Sequence, residues 1–189
     1  MPGHRRLLAL LAERSARRGH FTLASGRQST LYIDARLTTM SPDGLALIGP
    51  LAFATLREAA WDVTAIGGLT LGADPVSYAI AYASADTDYP LRAFTVRKEA
   101  KTHGTGRLVE GPFRAGDRVA VIEDVITTGG SALRAVDAIR AAGGVVMGVL
   151  ALVDREEGGR EAILSTGLPV LALTRATDIT ALLPPPTAS

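Results

Sequence analysis

The sequence predicts an α/β fold, an open parallel sheet covered by helices. Three observations predict it. Strand and helix signals alternate from residue 61 to residue 154. The run "DRVAVIE", Asp117–Glu123, is β-branched and apolar without alternation, the pattern of a strand covered on both faces. Strand, helix and strand then follow one another across residues 117–154 at the spacing of a right-handed crossover between parallel neighbours. In such a sheet, ligands are expected at the carboxyl ends of the strands.

Taken in order, Met1–Arg18 reads as an amphipathic helix. Arg5 and Arg6 precede an apolar stretch, but Leu7–Ala12 is too short for a signal peptide's core and no small-residue cleavage site follows. "WDVTAIGG", Trp61–Gly68, is a short buried strand. Asp74-Pro75 opens "ADPVSYAIAYASA" as N-cap and first helical position. "LRAFTV", Leu91–Val96, is the next strand, and Asp117–Glu123 follows it. Ser131–Ala142 carries Ala132, Leu133, Val136 and Ile139 on one side of a helix, which Gly143-Gly144 stops. "VVMGVLALVD", Val145–Asp154, returns as a strand. The proline-rich end, about 180–189, reads as a frayed tail.

Composition narrows the class. A chain of 189 residues makes one domain with an ample core. Hydrophobic residues at 47% against 21% charged exclude a disordered chain. A net charge of +1, without a basic or acidic run, argues against a nucleic-acid or membrane surface. The longest apolar runs, near residues 46–56 and 143–153, fall short of a membrane span. With no cysteine, disulfides and thiolate metal sites are excluded, and a reducing, cytoplasmic setting is expected.

The chemistry concentrates in "VAVIEDVITTGGSALRAVDAIRAAGG", Val119–Gly144. Two adjacent carboxylates, Glu123 and Asp124, end a strand. Thr127, Thr128, Gly129, Gly130 and Ser131 then fill the turn into a helix. Glycines let backbone N–H groups converge, and the helix dipole and hydroxyls favour an anion there, as a phosphate monoester requires. It is not a Walker loop, because no Gly-Lys-Ser/Thr occurs, and no complete dinucleotide-binding glycine motif occurs either. Acceptor-only carboxylates suit sugar hydroxyls, or a hydrated Mg²⁺ spanning oxygens of the same ligand. A ribose 5′-phosphate satisfies both halves. The plain alternative, a solvated strand end followed by an ordinary turn, does not explain the order of acids, threonines, glycines and helix.

"VIEDVITTGGS", Val121–Ser131, closely resembles the phosphoribosyl-pyrophosphate motif of type I phosphoribosyltransferases. The resemblance implies that fold, with a small N-terminal hood (residues 1–40) over the base site of a single 1–189 domain. It implies that Glu123 and Asp124 hold the ribose hydroxyls, with Asp124 a catalytic residue, and that Val125, Ile126 and Thr127–Ser131 complete the phosphate site.

A second stretch, "RKEAKTHGTGRLVEG", Arg97–Gly111, is cationic and poor in apolar residues. Of the 20 lysines and arginines only Lys98 and Lys101 are lysine, and both lie here. By itself the stretch reads as a solvated loop. Yet "RKEAKTHG" is similar to the catalytic loop of orotate phosphoribosyltransferases, enzymes of pyrimidine biosynthesis in which that loop reaches into the neighbouring subunit's site. The resemblance implies Arg97, Lys98, Lys101 and His103 as pyrophosphate ligands, Lys101 and His103 as catalytic, Mg²⁺ bound mainly through substrate and water, and a homodimer with shared sites. "FTLASGRQSTLYID", Phe21–Asp34, looks like the family's hood signature. "LVDREEGG", Leu152–Gly159, sets Arg155 just past a strand to grip orotate, with Thr127 beside it. Outside that resemblance, Arg155 reads as a surface partner of Glu156 or Glu157. The chain departs from the pattern at Ala24 and Leu71, where many relatives carry lysine. A purine or uracil phosphoribosyltransferase would share the first motif but not the Arg97–Gly111 loop or Arg155. A regulator that merely senses the donor would need a nucleic-acid surface, which the charge pattern lacks.

Overall fold

The computed structural model describes residues 2–22, 28–99 and 108–184. The chain opens with α1 (Pro2–Leu10) and a π-helical turn over Leu11–Ser15, then a hairpin of β1 (Ala16–Thr22) and β2 (Gln28–Ile33). α2 (Arg36–Thr39) and α3 (Pro42–Glu58) lead into β3 (Ala65–Leu69), α4 (Ala73–Ser84), β4 (Arg92–Val96) and β5 (Val109–Glu110). β6 (Arg118–Ile126), α5 (Gly130–Ala141), β7 (Val145–Asp154), α6 (Gly159–Leu164), β8 (Val170–Arg175) and α7 (Ala176–Thr180) complete it.

Six strands form one sheet in the order β5-β4-β3-β6-β7-β8, parallel throughout except for the short edge strand β5. The unalternating apolar runs have the predicted cause. In β6, Ala120 and Ile122 pack with α1, α3 and α4, while Val119 and Val121 pack with α5 on the other face. β7 repeats the division, with Leu150 and Leu152 on the first face and Val149 and Ala151 on the second. With both faces covered, only the strand ends are open to a ligand. β1 and β2 pair antiparallel in a separate small sheet.

Local chemistry sets the helices. Ser41 caps α3 by accepting the Gly44 N–H at 3.2 Å, and Pro42 occupies the first turn. Gly49 lets α3 approach α4, for a Cβ there would stand 2.4 Å from the Ala79 carbonyl oxygen. Gly143, at φ 85°, ends α5 as expected.

Three sequence expectations need correction. The first helix does not run to Arg18. It loosens into the π turn at Leu11, and Ala16 enters β1, where pairing with Ile33 replaces helical hydrogen bonds. β6 does not stop at the acids but continues through Val125 and Ile126, which pair with Val153 and Asp154. Asp74 does not cap α4, which starts at Ala73 with Gly72 before it and no side-chain cap. Among the described residues, no helix is long and apolar enough to cross a membrane.

Candidate active site

A cleft of about 360 Å³ opens at the carboxyl ends of β3, β4, β6 and β7, under the hairpin. Its central feature is the end of β6. Gly129, between β6 and α5, has φ 81°, and a Cβ there would meet the Gly159 carbonyl oxygen at 2.8 Å, so only glycine fits. No side chain caps α5, which leaves its first-turn N–H groups for an anion beside Thr127 and Ser131, both in the cleft wall. Val125 also lines the cleft. The Ile126 side chain is buried in the core, so any contact it makes with a ligand runs through its main chain.

Strand alternation would send Glu123 and Asp124 to opposite faces, yet both line the cleft. They are unlike groups. Glu123 is 6% exposed. Its burial pushes the carboxyl well above the usual carboxylate range, the Asp124 charge adds to the push, and Arg134 on α5 partly opposes it. Asp124 is half-buried and accepts the Val125 N–H at 2.9 Å. From the β3–α4 turn, Gly72 presses against it, because a Cβ on Gly72 would fall 2.5 Å from the Asp124 carboxyl.

Arg155 follows β7 and is no surface residue. Only 7% exposed, it sends Nη2 to Glu157 Oε1 at 2.7 Å, to the Leu31 carbonyl at 2.9 Å and to Ser29 Oγ at 3.2 Å. The guanidinium therefore bolts β2 of the hairpin to the end of β7. Its Nε is buried with no hydrogen-bond partner among the described residues, in a group that lines the cleft. Glu156 turns elsewhere and accepts the Thr177 N–H at 2.9 Å.

Past β4, Lys98 lines the cleft. Arg97 lies outside the lining. It faces Glu110 of β5 at 3.8 Å, and its Nε donates to the Glu99 carbonyl at 3.3 Å. Lys101, His103 and Ala24 fall outside the described residues. Thr128 and Gly130 are exposed at the start of α5. Among the described residues, no group of three or more His, Cys, Asp or Glu side chains could hold a metal ion.

Several cleft residues escaped individual notice in the sequence. Tyr32, Asp34 and Arg36 arrive from the hairpin and the residues after it. Phe21 backs the Tyr32 ring at 5.3 Å between centroids, and Arg36 grips Asp34 from Nε at 2.8 Å and Nη2 at 2.9 Å. That hydrogen bond holds the Asp34 carboxyl below its ordinary range. Arg134 was legible in principle, since it stands one helical turn after Ser131 on the same face. Thr70 and Gly72 follow β3 at the sheet end where ligands collect.

A parallel sheet whose central strand carries an acid pair near its carboxyl end and runs into an uncapped, glycine-bent anion loop, with a small hairpin above, defines a type I phosphoribosyltransferase. No family model matches the chain. The orotate phosphoribosyltransferase of Aquifex aeolicus is 48% identical over 159 residues, 84% of this chain and 86% of that protein. The crystal structure of Mycobacterium tuberculosis H37Rv orotate phosphoribosyltransferase with Fe(III) dicitrate matches with a TM-score of 0.83 at 44% identity, covering 94% of this chain and 99% of that one. The same enzyme in complex with 5-phospho-α-D-ribosyl 1-diphosphate matches at 0.80 and 41%, covering 95% and 99%. The chain belongs to the orotate phosphoribosyltransferase family, whose members are pentosyltransferases.

Proposed function

We propose that the cleft transfers the 5-phosphoribosyl group of phosphoribosyl pyrophosphate to N1 of orotate, giving orotidine 5′-phosphate and pyrophosphate in pyrimidine biosynthesis. The observation that carries the reading is the strand order around the acids. β6 brings Glu123 and Asp124 to the middle, β7 brings Arg155 to one side, and β3 and β4 bring the Thr70–Gly72 turn and Lys98 to the other. Displacement at the anomeric carbon needs that layout, because nucleophile and leaving group must lie on opposite sides of the sugar.

In this reading Glu123 and Asp124 hold the ribose hydroxyls, and Thr127–Ser131 with the α5 amides hold the 5′-phosphate. The Nε of Arg155, unpartnered among the described residues, calls for an acceptor, which orotate's carboxylate supplies, with Thr127 beside the ring. Lys98 faces the pyrophosphate. Lys101 and His103 join it from the charged loop, with Arg97 at the loop's base, and stabilise the departing oxygens. The acid pair and the donor's own oxygens make the hard-oxygen setting that suits Mg²⁺, held chiefly through substrate and water. When bound, Mg²⁺ neutralises pyrophosphate charge and makes it a better leaving group. Nothing in the scheme requires a covalent enzyme intermediate.

The working unit is a homodimer in the cytoplasm, residues 1–189 acting as one domain, with the charged loop of each subunit completing its neighbour's site. Leu71, Tyr78 and Tyr82, each more than half exposed on α4 and the turn before it, offer apolar surface for a second copy to cover.

The test is incubation of the protein with phosphoribosyl pyrophosphate and Mg²⁺ plus orotate, uracil, hypoxanthine or adenine, with nucleotide as the readout. Orotate should be converted, and uracil, the same ring without the carboxylate, should not. Equal conversion of uracil would contradict the role given to Arg155.

A further inference from the structure

The β3–α4 turn is built around a buried carboxylate. Asp74 is 8% exposed. Its Oδ2 accepts the Thr70 hydroxyl at 2.6 Å, and its Oδ1 accepts the Thr95 hydroxyl at 2.8 Å. Among the described residues, no arginine or lysine lies within ion-pair distance of it. The Tyr78 hydroxyl lies 3.0 Å from Thr95 Oγ1. A carboxylate only accepts, so Thr95 gives its one proton to Asp74, and Tyr78 must be the donor to Thr95. The hydrogen bonds therefore converge from Tyr78 through Thr95, and directly from Thr70, onto one side chain.

A buried carboxylate without a cation is costly, and this one does not cap its helix. Its use lies in what it holds. Thr70 lines the cleft, and its N–H donates to the Val96 carbonyl at 2.8 Å. Two residues on, the Gly72 backbone lies against Asp124. Leu71 between them brings no charge, and the Thr70 hydroxyl and N–H are already given to Asp74 and Val96, so this wall can serve a pyrophosphate only through the main-chain N–H groups of Leu71 and Gly72. Such neutral donors are effective only when their positions are fixed beforehand. The Asp74 carboxylate ties the turn to Thr95 of β4, a rigid strand one place further from the acids.

We propose that Asp74 is a positioning residue for the phosphoribosyl donor: through Thr70 and Thr95 it fixes the Thr70–Gly72 turn against Asp124 on the pyrophosphate side of the cleft. The inference rests on the functional reading above. It separates the substrates, since the turn lies across the acids from Arg155.

The experiment measures KM for each substrate, with melting temperature alongside, for the full chain and for Asp74→Ala, Asp74→Asn and Thr95→Val. Asp74→Ala should raise KM for phosphoribosyl pyrophosphate roughly tenfold and leave KM for orotate within about twofold. In reverse, KM for pyrophosphate should rise in parallel. Asp74→Asn keeps an acceptor and should recover part of the loss. Thr95→Val, which does not touch the cleft, should reproduce the same selective rise at about threefold. Should Asp74→Ala fail to fold, the asparagine and valine variants still decide the matter. Lower melting temperatures with both KM values unchanged would make Asp74 a structural residue only and overturn the inference. A wild-type chain that forms no orotidine 5′-phosphate would overturn the functional reading itself, a result distinct from the first.

Discussion

Asp124→Asn is expected to lower kcat/KM by about tenfold to a hundredfold, the cost of one charge-assisted hydrogen bond to a hydroxyl in the transition state. The fold should stand, because the carboxylate is half-buried in the cleft wall and accepts the neighbouring Val125 N–H. Asparagine preserves that acceptor. Glu123 should behave in the opposite way. Its folded-state carboxyl is pushed above the unfolded value, chiefly by burial, so its contribution to stability is complete below the ordinary carboxylate range. That contribution is lost as pH rises towards the folded value. Glu123→Gln cannot titrate, so it should melt higher than wild type at neutral pH, by an equivalent of about 1–3 kcal/mol, with the gap closing near pH 4. Melting curves across that range, beside steady-state rates, check both variants. A destabilised, fully active Asp124→Asn would show that the acids are structural.

Mixing two inactive proteins should restore activity. Lys101→Ala removes an ammonium from the charged loop, and Asp124→Ala removes an acid from the cleft. If each loop serves the partner's site, a mixed dimer holds one site with both defects and one with neither. Random re-pairing of equal amounts makes about half the dimers mixed, so activity should return to about a quarter of wild type. If each loop serves its own site, every site keeps a defect and nothing returns. Subunit exchange shown independently, together with a dead mixture, would refute the shared site.

The framework of this molecule was legible because its causes are local. Unalternating apolar runs such as Val119–Ile122 and Val149–Val153 specify strands covered on both faces, and the acids and glycines of Glu123–Gly130 follow directly from one of them. What stayed hidden depends on contacts distant in the chain. Arg155 gave no sign that it joins Ser29 and Leu31, 126 and 124 residues away, because the hairpin's register decides that meeting. Asp74 looked like a helix cap from its place before Pro75, but Thr70 and Thr95 draw its carboxylate inward, and only the pairing of β3 with β4 brings Thr95 there. Burial of Glu123 likewise arises where strand, helix and neighbouring acid converge, so two letters that look equivalent become unlike carboxyls.

The most direct test of the layout, with base and donor on opposite sides of the acid pair, is the pair of KM values for Arg155→Ala. Alanine removes the guanidinium on the β7 side and leaves the β3 and β4 walls untouched. KM for orotate should rise by about thirtyfold to a hundredfold, the loss of charge-assisted hydrogen bonds to a carboxylate, while KM for phosphoribosyl pyrophosphate stays within about twofold. Equal increases in both values would contradict the account, because they would mean that Arg155 acts by holding the hairpin and the whole cleft together rather than by binding the base.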